Sequence, residues 1–151
     1  MDALDYGIYK WIDYVANVWK EVEVDGLKIE SYKIAKIPEI VTRFPSAINF
    51  VPGTKKKYSV SGDATGNYAG KTQFHIVSSK MMNKIPLVMK FVDPIYAAAA
   101  AHITLWGNVF NFYVTDVDLV TMSWGGEVEH FGLEATWTLQ ETQTGKFTVS
   151  A

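Results

Sequence analysis

The last third of the chain constrains its fold most. It runs Gly-Asn-Val-Phe-Asn-Phe-Tyr-Val from Gly107, and then, from Asp118 to Glu141, a strand-forming sequence interrupted at Gly125-Gly126. Two β-rich runs around a diglycine predict a hairpin, because glycine accepts the positive φ that tight turns require. After the turn the side chains alternate. Val128, His130, Gly132, Glu134, Thr136 and Thr138 fall on one face. Glu129, Phe131, Leu133, Ala135, Trp137 and Leu139 fall on the other, mostly apolar face, which is the expected core side.

The rest of the chain is more helical. Leu4, Ile8, Trp11, Val15, Val18 and Val22 recur at steps of three and four residues, predicting an amphipathic helix over 3–22 with Asp2 or Asp5 as its cap. Asp25-Gly26 either turns a small hairpin or separates the helix from a first strand. Residues 33–43 read as an irregular connection with one short turn. Pro45–Gly53 reads as a strand confined by its prolines to an edge or a short run, and 55–61 as a second strand. Residues 62–70, rich in small and polar side chains, read as an exposed, mobile hairpin loop, and 71–79 as the returning strand. A short helical segment over 83–92 precedes a helix capped by Asp93, with Pro94 at its first position and Gly107 as its stop. The alanines at 97–101 favour that helix and allow close approach to a sheet. The order predicts an α+β fold: a mainly antiparallel sheet with two principal helices packed on one face, as a single domain over 1–151.

A chain of 151 residues buries roughly 68–70% of its unfolded surface and needs no staples. It has no cysteine, which removes disulfides, zinc thiolates and thiol nucleophiles and fits a reducing compartment. Its 14 basic and 16 acidic residues give a net charge of −2, so no global basic field points to nucleic acid. No apolar run approaches the ~18–20 residues of a membrane span, and the acidic start, Met-Asp-Ala-Leu-Asp, argues against a secretion signal.

Catalytic patterns are sparse. His75, His102 and His130 have no His-x-His or His-x-Glu partner at strand spacing, and alternation sets His130 apart from Glu127 and Glu129. Ser61-Gly62-Asp63 is no nucleophile motif, and Asp116 with Asp118 reads as a solvated strand edge. Gly66-x-x-x-Gly70-Lys71-Thr72 has a Gly-Lys-Thr ending, but three residues separate its glycines where a phosphate loop has four, so no phosphate cradle is expected. The expectation is no enzyme, no cofactor and no metal. Lys55-Lys56-Lys57 reads as a guard against edge pairing or as an electrostatic contact with an acidic partner or nucleic acid. Together with Asp63, Asn67 and Tyr68 of the loop, these lysines are the candidate interaction residues. Five Trp, eight Tyr and eight Phe serve either a sheet core or surfaces covered by another chain.

Three patterns carry a resemblance. The first is the N-terminal amphipathic stripe followed by Pro45-Ser-Ala-Ile-Asn-Phe. The second is Phe74-His-Ile-Val-Ser-Ser leading to Asp93-Pro-Ile-Tyr-Ala-Ala-Ala. The third is the closing hairpin from Gly125 to Glu141, with its His130-x-Gly132 step and acidic end. In this layout the chain resembles the tail-terminator and minor tail proteins of long-tailed bacteriophages, departing from it in the alanine run and at Pro94. The resemblance implies a virion structural protein, made in the host cytoplasm, that forms a homo-oligomeric, hexameric ring closing the head-proximal end of the tail tube. It implies as partners the chain itself, the tail tube protein and a head-completion or connector protein, with no membrane and no sequence-specific nucleic acid. Two alternatives stand beside it. One is a small ligand-binding domain or enzyme with a pocket among Trp106, Phe110, Phe112, Trp124 and Trp137. The other is a host interaction module working by strand addition.

Overall fold

A computed structural model describes residues 9–58, 64–125 and 128–143. In chain order it contains α1 (Tyr9–Trp19), β1 (Glu23–Val24), β2 (Leu27–Lys28), β3 (Glu30–Ser31), β4 (Ser46–Tyr58), β5 (Ala64–His75), α2 (Ile85–Met89), α3 (Val92–Ala101), β6 (Asn111–Met122) and β7 (His130–Gln143). Short 3-10 turns occupy Ile34–Lys36 and Met82–Lys84. The fold is α+β. Five strands form one sheet in the order β3-β4-β5-β7-β6, antiparallel throughout except for the parallel β3–β4 pair.

The closing hairpin forms as its alternation predicts. Leu133, Ala135, Trp137 and Leu139 are fully buried, and Phe131 packs at the edge of the same cluster. Across the ladder, Phe74 pairs with Leu133, Gly70 with Trp137 and Phe112 with Leu139, so these positions share the core face. Onto it α1 packs Val15, Val18 and Trp19, and α3 packs Ile95, Ala98 and Ala99. The buried stripe of α1 also takes in Ile12 and Ala16, wider than the sequence stripe. Leu4, Ile8 and the proposed caps Asp2 and Asp5 lie outside the described residues.

Four expectations are corrected. The expected strand 45–53 and the described part of the second, 55–58, merge into one long strand, β4, with a register shift between Phe50 and Gly53 that accommodates Pro52. Residues 64–70 are strand rather than loop: the cross-strand partners offered by β4 and β7 override the small-residue composition. The connection 59–63 lies outside the described residues. Helix α3 starts at Val92 behind Phe91 with no side-chain cap, so Asp93 and Pro94 sit within its first turn, where backbone N–H groups need no helical acceptor. It ends at Ala101, before the turn in which Leu105, Trp106 and Gly107 take positive φ. Of the two readings at Asp25-Gly26, the hairpin forms, with φ of 52° and 79°.

A buried polar chain ties helix to sheet. Trp19 Nε1 donates to Asn49 Oδ1 at 2.8 Å, Thr72 Oγ1 donates to the same oxygen at 2.7 Å, and Trp137 Nε1 donates to Thr72 Oγ1 at 2.9 Å. Trp137 therefore combines apolar burial with a satisfied N–H. Its ring also fills the space above Gly70, where a Cβ would overlap it. Trp137→Ala should cost about 3–5 kcal/mol in denaturant unfolding. Gly70→Ala should destabilise the wild type but cost much less in the Trp137→Ala background, because the overlapping ring is then gone. Equal cost in both backgrounds would contradict this packing.

Candidate functional site

The candidate interaction residues on β4 and β5 are cross-strand neighbours, but Tyr68 among them is buried. Lys55, Lys56 and Lys57 lie on the outer part of β4, paired with Asn67, Gly66 and Thr65. Asp63 lies outside the described residues. Asn67 is half-buried on β5, with its Oδ1 buried and without a hydrogen-bond partner. Tyr68 is 1% exposed, which corrects its place among loop contacts. It faces the core because it pairs with Leu139, and its hydroxyl donates to Glu141 Oε1 at 2.5 Å. Burial, then the hydrogen bond and charge of Glu141, hold that hydroxyl well above its ordinary pKa. Trp11 Nε1 donates to Glu141 as well.

The five aromatic residues suggested for a pocket separate. Phe112 and Trp137 are core, with ring centroids 5.7 Å apart. Trp106 and Phe110 are exposed in the α3–β6 connection. Trp124 packs beside His75, with centroids 6.3 Å apart.

That last contact belongs to a site the sequence did not reveal. His75 closes β5 and His130 opens β7, and register brings them side by side because His75 pairs with Gly132. Both are buried, and His75 Nδ1 lies 2.6 Å from His130 Nε2. Phe44 meets His130 edge-on at 5.1 Å. Beside His130 lies a half-open, mostly apolar cavity of about 320 Å³, walled by Val41, Phe44, Trp124 and His130 among others. The cavity forms because the connection 37–45 crosses the β6–β7 turn. Trp124 Nε1 donates to the Pro38 carbonyl at 2.8 Å, and the Glu39 carbonyl lies so close to Gly125 (φ 65°) that no Cβ fits there. Only the pairing register could have announced this pair, since the histidines stand 55 residues apart.

Burial pushes His75 down to about pKa 4, helped by the neighbouring His130. Burial lowers His130 also, partly opposed by its hydrogen bond to the Val128 carbonyl. The two nitrogens stand at hydrogen-bond distance. Two imidazoles on one tetrahedral zinc would be about 3.3 Å apart, from Zn–N bonds of about 2.0–2.1 Å. Among the described residues no third His, Asp or Glu joins them.

The sheet edges form the other candidate surface. Strand β6 is one edge; it has Asp116 and Asp118 as its only charged residues, both exposed, along with exposed Tyr113 and Leu119. At the opposite side, two-residue β3 covers only Ser46 and Ala47 of β4, so the outer flank of β4 from Ile48 onward has no strand partner among the described residues. All charged residues of β4 are lysines. Next to it, Lys20, Lys33 and Lys36 line a cleft of about 560 Å³ with Glu30, Ser31 and Tyr32. Compared with models of known protein families and with curated protein sequences, the chain matches none.

Two outcomes follow from the histidine pair. Because both histidines titrate lower in the folded than in the unfolded chain, the unfolded chain binds protons first on acidification. Their contribution is complete above about pH 6.5 and is lost as the pH falls toward 4, by up to about 3 kcal/mol for His75. Denaturant midpoints should fall between pH 7 and 5, and fall less in His75→Gln; parallel slopes would contradict the assignment. Thermal unfolding with zinc, nickel or a chelator should coincide, whereas a shift of many degrees with stoichiometric metal would show a ligand set.

Proposed function

We propose that this chain is a non-enzymatic virion protein of the tail-terminator kind, which assembles with copies of itself into a ring at the head-proximal end of a phage tail. Its partners in this reading are the tail tube protein and a head-completion or connector protein. The observation that carries it is the sheet with two unlike edges, an acidic β6 on one side and a lysine-bearing β4 on the other, whose outer flanks lack strand partners among the described residues over most of their length. An edge strand left open invites pairing with another chain. Pairing β6 with β6 would set Asp116 and Asp118 against their like, and pairing β4 with β4 would oppose lysines, both unfavourable. Pairing β6 of one copy with β4 of the next joins opposite charges. Such a contact is heterologous, and it closes into a ring when its rotation divides the circle. The hexameric order comes from the resemblance.

A ligand-binding domain is the second reading, favoured by the cavity of about 320 Å³ beside His130. A strict monomer, both free and mixed with tail tubes, would leave that reading in front, and a ligand screen would then be decisive.

Mass measurement and cross-linking, with and without tail tubes, test the ring. Asp116→Lys with Asp118→Lys should abolish assembly while leaving the monomer's unfolding midpoint nearly unchanged. Adding Lys55→Glu and Lys57→Glu should restore it. Assembly indifferent to both changes would remove edge pairing as its basis.

A further inference from the structure

We propose that the His75–His130 pair is an acid-operated latch: neutral, it holds the 37–45 connection against the β6–β7 turn, and on taking up one proton it releases them. The pair sits where these two segments cross. Phe44 of the connection packs on His130, and Trp124 of the turn packs on His75. Trp124 also binds the Pro38 carbonyl directly, so the same side chain reports on the latch and forms part of it.

The proton inventory makes the pair sensitive. His130 turns Nε2 toward His75, so the nitrogen it offers to the Val128 carbonyl is Nδ1. His130 Nε2 then accepts from His75 Nδ1–H. Three of the four ring nitrogens are thereby used, and the fourth, His75 Nε2, is buried with no partner. A bare buried acceptor is tolerable in a neutral ring. An added proton changes this whichever imidazole takes it. The pair then holds three N–H groups: one serves Val128, one lies between the rings, and the third is His75 Nε2–H, a donor on a buried cation aimed at no acceptor. Relief requires water or rotation of a ring, and either disrupts the packing of Phe44 and Trp124.

Among the described residues, neighbouring charges do not supply a counter-ion. Glu39 and Arg43 of the connection, Lys80 after β5, Glu129 before β7 and Asp118 of β6 are exposed. Lys71 and Glu134, farther along the same face of β5 and β7, pair with each other at 3.2 Å. Arg43 pairs with Glu30 at 3.8 Å, and Lys80 with Glu129 at 2.6 Å. The lowered pKa values of both histidines agree with this environment and place the transition below about pH 6.5.

The test follows imidazole and indole nitrogens of the full ¹⁵N-labelled chain by NMR from about pH 7.5 to about pH 4. At the upper end both histidines should be neutral with Nδ1 protonated. On acidification one coupled titration should appear, and the Trp124 indole N–H should shift or broaden with the same midpoint, while those of Trp19 and Trp137 stay put. Three results would overturn the latch. Both imidazoles could titrate near 6.5 with Trp124 unmoved. All three indoles could change together as the chain unfolds. Both rings could stay neutral, with Trp124 unmoved, until global unfolding. In His75→Gln the amide can donate to neutral His130 or, flipped, accept from protonated His130. Trp124 should then hold its position until global unfolding, and a wild-type response in this variant would also refute the latch. If the variant does not fold, the wild-type titration decides alone.

Discussion

The pairing of β5 with β7 is the contact on which the rest of the molecule depends. It places Trp137 over Gly70, so one indole fills the core, touches Phe112 and donates to Thr72. Thr72 and Trp19 meet at Asn49, which binds the first helix to the same point. At one end of that ladder Tyr68 reaches Glu141, and at the other His75 reaches His130. A one-residue slip would turn every one of these groups to the opposite face, so register is strongly specified.

The same pairing decides where function can reside. With β7 between β5 and β6, the hairpin that closes the chain places its first strand at the sheet's edge. The opposite edge receives only the short β3. The helices occupy one face, and the other is polar over much of its length, with Lys71 and Glu134 paired on it, until it meets the histidine cavity at its end. Among the described residues, the surfaces left open include the edges β6 and β4 and the exposed connection bearing Ile103, Trp106 and Phe110.

Much of this was legible in the residues, and the parts that were not have physical reasons. Period-two alternation predicted the core face of β7, and period-3.6 spacing predicted a helix containing Val15 and Val18, because both patterns are local. The span 64–70 reads as a loop because glycine, alanine and asparagine carry no strand signal of their own; partners on both sides make it a strand. Tyr68 looked like a loop contact for the same reason. Asp93 suggests a cap with the helix starting at Pro94, but the helix begins two residues earlier than that, at Val92, with Phe91 in the core. The histidine pair depends on register between segments far apart in sequence, which composition and spacing do not encode. The resemblance to tail terminators supplied the assembly reading, and the unlike edges supply a physical route to it.

The absence of cysteine from the chain allows a direct test of head-to-tail pairing. One population carries Thr115→Cys on β6 and a second, of distinguishable mass, carries Lys57→Cys on β4. They are mixed under mild oxidation, alone and with tail tubes, and the disulfide-linked species are weighed. Head-to-tail pairing predicts that mixed disulfides dominate, and that a chain carrying both cysteines yields a ladder ending in a closed oligomer. Predominance of Thr115→Cys chains linked to one another, or no cross-linking in either condition, would contradict it.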